Sequence, residues 1–223
     1  MFIMMTNFPL FHRFCYTAIG FLLANQQAAT AQEVLVYFKP LPATDTLHVE
    51  VNLEPDSLVP GDTIPNRLFF SEIPVAFLQE IDYLADSSTA LVLGRSHFPL
   101  NDSIEAYWVE IRQYWFQHHA LLLYDHRRKV FVDMVRLAEW YGGESGQILV
   151  GSWLFDYDGD GQKDVFRREI RHSMIPLSDT VLERTEEMAE LLRWDNGRFT
   201  EAILEPFSVD KTQGKLFPIR SFW

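Results

Sequence analysis

Apolar and polar side chains alternate along much of the chain, and that period sets most of the expected elements. Over residues 48–53, Val49, Val51 and Leu53 share one side while His48, Glu50 and Asn52 share the other, which is the two-residue repeat of a half-buried strand. Further short strands are expected over residues 34–38, 89–94, 104–112, 149–155 and 165–172. Residues 120–124 and 129–135 flank the turn His126-Arg127-Arg128-Lys129 and pair as a hairpin. A second hairpin is marked by Asp195-Asn196-Gly197, because Asn-Gly supplies the two positive φ angles of the tightest hairpin turns. A helical repeat stands out over residues 73–84, where Phe77, Leu78, Ile81 and Leu84 form one apolar face. Ser71 is placed to cap that helix, Glu72 suits its first turn, and Pro74 falls early enough to cost no internal hydrogen bond.

Residues 181–194 carry two patterns at once. Val181, Leu182, Thr185, Met188 and Leu192 recur at helical spacing, whereas Glu186, Met188, Glu190, Leu192 and Trp194 run backwards from the Asn-Gly turn with period two. A strand from about residue 186 is favoured, since the hairpin needs a long first arm. The fold class that follows is mainly β (α+β), an antiparallel sheet or sandwich-like domain with one or two helices and not a full propeller. Pro55, Pro60, Gly61 and Pro65 mark a long connection, yet composition does not change across it, so residues 32–223 are expected to form a single β-rich domain.

The first 31 residues read differently. Arg13 is the only charge before Glu33, an apolar core covers residues 14–24, and Ala29-Thr30-Ala31 follows. These are the three parts of a secretory signal peptide, with cleavage after Ala31 and a periplasmic or secreted destination. A buried N-terminal helix or strand is the competing reading. The core is too short to span a bilayer, which takes about 20 residues. The one cysteine, Cys15, lies within this segment, so the exported part would hold its fold by core packing alone.

Charge narrows the partners. The 223 residues include 19 Lys plus Arg against 31 Asp plus Glu, a formal charge of −12. Neutralising nucleic-acid phosphates takes clustered basic side chains, and the one such cluster, residues 126–129, sits at a hairpin tip. A cation is the partner this balance favours, and no nucleic acid and no membrane span are expected.

The most specific local signal is Asp156-Tyr157-Asp158-Gly159-Asp160-Gly161-Gln162-Lys163-Asp164. Carboxylates at loop positions 1, 3, 5 and 9 can converge as the backbone curls, Gly161 at position 6 permits the sharp turn, and Gln162 can offer its backbone carbonyl. Those are the needs of Ca²⁺, a hard cation taking six to eight oxygens. Position 12 is Arg167 where an EF-hand has a bidentate glutamate, and the flanks are strand-like. A Gly-Asp turn that simply faces water is the alternative.

Set between Trp153-Leu154-Phe155 and Val165-Phe166, this loop resembles the calcium-loop segment of FG-GAP/VCBS-type repeats of integrin-like propellers and many secreted bacterial proteins. The resemblance implies Asp156, Asp158, Asp160 and Asp164 as side-chain ligands and Gln162 as a carbonyl ligand. Residues 192–199 are similar to the hairpin that often follows such a loop in secreted proteins of the Bacteroidetes type, so the likeness covers residues 151–205. It rests on one loop copy, and no repeat at the period of a propeller blade is visible.

Catalytic signatures are sparse. His97, His118, His119 and His126 lack the H-E-x-x-H spacing, and the neighbours His118 and His119 would point to opposite faces of a strand. Ser152 and Ser173 lack the G-x-S-x-G elbow, and the glycines of residues 142–146 lack the Lys-Ser/Thr of a phosphate loop. Glu139, Glu144, Glu169 and the loop aspartates offer carboxylates for paired acid and base work on a glycan, as the carboxylates of any acidic protein do. The function expected from all of this is an exported, non-catalytic, calcium-stabilised β module for envelope or surface binding, with a surface protein or glycan as candidate partner. A small secreted hydrolase acting on glycan or peptide, and a structural interaction protein whose acidic loop holds no ion, are the alternatives.

Overall fold

The computed structural model describes residues 33–41, 46–51, 61–81, 84, 86–143 and 145–202. The expected signal peptide, Glu144 and residues 203–205 of the family resemblance lie outside the described residues. The protein is mainly β, as its alternation implies. Among the described residues, eleven strands form one open sheet: β1 (Lys39–Pro40), β2 (Leu47–Glu50), β3 (Asp62–Ile64), β4 (Leu91–Pro99), β5 (Ile104–Gln113), β6 (Phe116–Asp125), β7 (Val130–Gly143), β8 (Gly146–Phe155), β9 (Asp164–Pro176), β10 (Val181–Asp195) and β11 (Arg198–Ala202). From β4 to β11 the order in space is the order in sequence, an antiparallel meander.

Two helices, α1 (Asn66–Glu72) and α2 (Val75–Leu78), replace the single helix expected over residues 73–84. Pro74 explains the split. It lacks an N–H and disfavours helical backbone in the residue before it, and Ile73 is accordingly extended at φ −78°, ψ 132°. Ser71, expected as a cap, instead lies within α1 and donates to the Leu68 carbonyl at 2.9 Å. The apolar stripe keeps its packing role: Ile81 is buried, and Phe77, Leu78 and Leu84 pack on the same cluster. Residues 34–37, expected as strand, form a 3-10 turn that buries Val34.

Hydrophobic residues sort into two main clusters. One joins α1 and the segment at residues 34–38 to Val92, Val109, Ile111, Leu122 and Tyr124. The other joins Ala106, Trp108, Leu121, Leu123 and Leu137 of the central strands to Val49, Leu154, Val165 and Trp194. The second cluster brings the β8–β10 part of the meander against its β5–β7 part, so the sheet is strongly curved yet open. The curvature begins where β7 parts from β8. These two strands pair only over residues 139–143 and 146–150, and beyond that point β2 takes the vacated edge of β8.

Bulges decide which side chains meet. Between β4 and β5, Arg95 is the extra residue, which sends its side chain inward to 4 % exposure. The neighbouring Gly94 is required for another reason, since a Cβ there would lie 2.6 Å from the Tyr37 carbonyl oxygen. Gly94→Ala therefore forces backbone apart and should cost about 1–3 kcal/mol, read as a lowered denaturant midpoint with an unchanged slope.

Candidate functional site

The acidic turn joins β8 to β9, two strands as expected, and its backbone is bent by Gly159 and Gly161 at φ +83° and +85°. Asp156 organises it: one carboxylate oxygen accepts the Gly159 N–H at 2.7 Å and the other accepts the Gly161 N–H at 2.9 Å. Asp158 accepts from Asp160 N–H at 3.3 Å, and Asp160 accepts from the Gln162 N–H at 2.8 Å. Asp156, Asp158 and Asp160 thereby bring one oxygen each to within 4.8 Å of one another on the exposed face of the turn. These three carboxylates could hold a metal ion. Each carboxylate oxygen has two lone pairs, so an oxygen that accepts one backbone hydrogen still has capacity for an ion.

Asp164 stands outside that trio. It is buried at the start of β9, where it accepts the Trp194 N–H at 2.8 Å and the Tyr157 N–H at 3.3 Å, tying the turn to β10. Burial pushes its carboxyl above the usual carboxylate range; these two hydrogen bonds oppose the rise, and the charges of Asp158 and Asp160 add to it. Gln162 sits beside Asp160, to which its side-chain amide also donates at 3.3 Å. Arg193 Nη1 approaches Asp158 at 3.9 Å from β10.

A second polar assembly lies where β7 parts from β8, and sequence reasoning did not anticipate it. His118, Glu139, Val150 and Glu169 are successive cross-strand partners on β6, β7, β8 and β9. His118 Nδ1 lies 2.8 Å from a Glu139 oxygen. Arg136 bridges Glu139 at 3.3 Å and Glu169 at 2.9 Å, and Arg171 also donates to Glu169. Arg167 reaches from β9 to the Arg136 carbonyl at 2.8 Å, bonding the edge that β8 has left. Beside this network opens a cleft of about 520 Å³, with His118, Glu139 and the three arginines in its walls and Leu192 and Phe199 as apolar lining.

The electrostatics fix the protonation pattern. Burial would raise the Glu139 carboxyl, but the hydrogen bond and charge of His118 together with the Arg136 guanidinium outweigh it and hold the group below the usual range. An ionised Glu139 only accepts, so His118 donates to it from Nδ1, which leaves Nε2 as the other ring nitrogen. That atom is buried and has no hydrogen-bond partner in the protein, a situation that costs about 1–3 kcal/mol when nothing satisfies it. As expected from strand geometry, His119 points the other way. It accepts a hydrogen bond from Trp108 Nε1 at 3.1 Å, and burial pushes its pKa down to about 4.

The carboxylates considered for acid and base work are thus partly brought together. Glu139 and Glu169 share Arg136, with one strand between them, or about 10 Å at the usual strand spacing. A general acid needs a raised pKa, and Glu139 is shifted the opposite way. Among the tryptophans, Trp108, Trp153 and Trp194 are core residues, while Trp115 is 70 % exposed beside an equally open Tyr114 at the β5–β6 turn. No protein-family model, curated protein or solved structure matches this chain.

Proposed function

We propose that this protein is an exported β module whose acidic turn binds calcium and uses it to fix the end of the sheet for envelope or surface binding. The observation that carries the reading is the convergence of Asp156, Asp158 and Asp160 oxygens on one side of a turn bent by two left-handed glycines. Calcium fits this donor set better than magnesium, because an all-carboxylate turn with a nearby carbonyl suits a larger and less strict shell. Asp156, Asp158 and Asp160 would be direct ligands, the Gln162 carbonyl would join them, and Asp164 would hold the base of the turn. The ion would offset the mutual repulsion of the carboxylates, so binding energy would appear as order in the turn.

The expected affinity is that of an extracellular module, with Kd around 10⁻⁴–10⁻³ M. About 10 mM calcium should then raise the thermal midpoint by roughly 3–10 °C, through preferential binding to the folded state. Magnesium should do less, and Asp156→Ala and Asp160→Ala should lose most of the calcium response. Equal midpoints with and without calcium, or a full response in both variants, would overturn the reading.

A further inference from the structure

We infer that the open edge of β10 is a self-association surface, which pairs antiparallel with β10 of a second copy of this chain about a two-fold axis at Thr185. The inference does not rest on the calcium reading, since this edge and the acidic turn share no residue.

β10 has β9 along one side, whereas β11 covers its other side only from Leu191 to Asp195. Among the described residues no strand lies beside residues 181–190 on that side. The direction of the backbone groups there follows from the Asn-Gly turn. A two-residue hairpin turn makes Asp195 and Arg198 a pair that exchanges both hydrogen bonds, and the register of β10 runs without a bulge. Odd-numbered residues therefore aim N–H and C=O towards β11, and Val181, Glu183, Thr185, Glu187 and Ala189 aim theirs past its end. Pro176 agrees with this: it has no N–H to give, and it stands opposite Val181, whose groups face away from it. Such a row of backbone groups is a template for another strand.

The side chains fit that strand to a second β10. In a two-fold pairing, residue i meets j and j meets i. Centred on Thr185, Arg184 meets the second copy's Glu186 and Leu182 meets its Met188, each contact occurring twice on one face. Arg184 and Glu186 already pair within one chain, so the second copy completes a ring of alternating charges. Leu182 and Met188 are 51 % and 47 % exposed, and Ile175 lies opposite Leu182 on β9, so an apolar strip crosses the junction at either end of that ring. On the other face Thr185 meets Thr185, and Val181 meets Ala189. Glu183 there meets Glu187, whose carboxylate Arg168 already holds at 2.8 Å. An axis at Arg184 or Glu186 would set like charges directly opposite each other, which destabilises a strand pair. Thr185 is the neutral centre between them. β11 ends at Ala202 opposite Leu191, and the second copy's Val181 reaches only to Ala189, so the two do not compete for one stretch of edge.

Sedimentation velocity of the full chain, from about 1 μM to about 1 mM, reads the association. An edge contact is at the small end of specific interfaces, so a dimer with Kd on the order of 10⁻⁵ M is expected, in chelator as well as in calcium. Thr185→Pro removes an N–H that only the second copy would use, and an edge strand tolerates proline there. It should weaken association about tenfold or more, with little change in the thermal midpoint of the dilute protein. Arg184→Glu and Glu186→Arg each set like charges opposite each other in their own dimers, and each should weaken association by about tenfold or more. Mixed in equal amounts, the two variants regain opposite charges at both contacts and should associate as tightly as the parent. The inference fails if the parent is monomeric throughout, if Thr185→Pro or either charge variant associates like the parent, or if the mixture stays monomeric. Slow amide exchange at Thr185 and Glu187 in a monomeric parent would mean that the edge is covered from within the chain, which also overturns it.

Discussion

Glu110→Ala is expected to lower folding stability by about 3–5 kcal/mol, enough to drop the thermal midpoint by roughly 6–20 °C for a domain of this size. Glu110 is fully buried on β5. It accepts Arg95 Nε at 2.8 Å and Gln117 Nε2 at 2.7 Å, and also binds Arg95 Nη2 and Arg112 Nε. The bulge at Arg95 has already committed that guanidinium to the interior, where it is only 4 % exposed. Removing the carboxylate takes away the negative charge that Arg95 faces on β5, so the desolvation of its buried cation is opposed by less. Arg95→Met together with Glu110→Leu should recover much of the loss, because a packed apolar pair carries no desolvation penalty. Urea unfolding of the single and double variants checks this. A Glu110→Ala change of under about 1 kcal/mol would mean that the network is open to water.

Acid is the second strong perturbation. His119 is neutral when folded, with a pKa near 4 caused chiefly by burial, against an ordinary 6.5. Above pH 6.5 both states leave it neutral and it does not affect stability. As pH falls from 6.5 towards 4 the unfolded chain takes up a proton that the folded chain refuses, so stability declines by roughly 3 kcal/mol over that window. His48 is shifted in the same direction by burial, despite the opposing pull of Glu50. Below about 4.5 a second loss begins. For both Glu110 and Glu139, burial raises the carboxyl pKa, but nearby histidines and arginines more than compensate, so the folded values lie below 4.5. Their contribution is present above the unfolded value and disappears as they are protonated. Asp164, raised by burial, works in the opposite sense and partly offsets the decline. His119→Gln keeps an acceptor for Trp108 while removing the titration, so its stability should fall less between pH 6.5 and 4.5. A flat profile in the parent across that window would contradict the assignment.

How far these features could be seen in the sequence depended on whether they were local. Asn196 and Gly197 do adopt φ +50° and +85°, and β10 and β11 close on them with Asp195 opposite Arg198. The turn over residues 156–164 was readable because its spacing is covalent. In the 181–194 segment the strand pattern prevailed along its whole length. Val181 to Met188 stay exposed while pairing with β9, so the helical repeat had no core to face.

The cleft was hidden by register. A regular ladder closed at Asp125 opposite Val130 would place Leu137 beside His118. Bulges at Val132 and Leu137 advance β7 by two residues, which preserves the facing and brings Glu139 there instead. Neither bulge carries a glycine to announce it. The same holds for Arg95, whose burial depends on one extra residue in β4, and for the split between β7 and β8 that lets arginines from β7 and β9 meet. Pro74 stands at the start of a helix, as its position implies, and its constraint on Ile73 also ends the helix before it.

Whether an ion sits in the β8–β9 turn is decided by a high-resolution crystal structure grown in millimolar calcium. One ion is expected there, with Asp156, Asp158 and Asp160 oxygens and the Gln162 carbonyl at about 2.3–2.6 Å, and Asp164 still bound to the Trp194 amide. A turn with the same backbone hydrogen bonds and only water among its carboxylates, at a calcium concentration well above 1 mM, would contradict it.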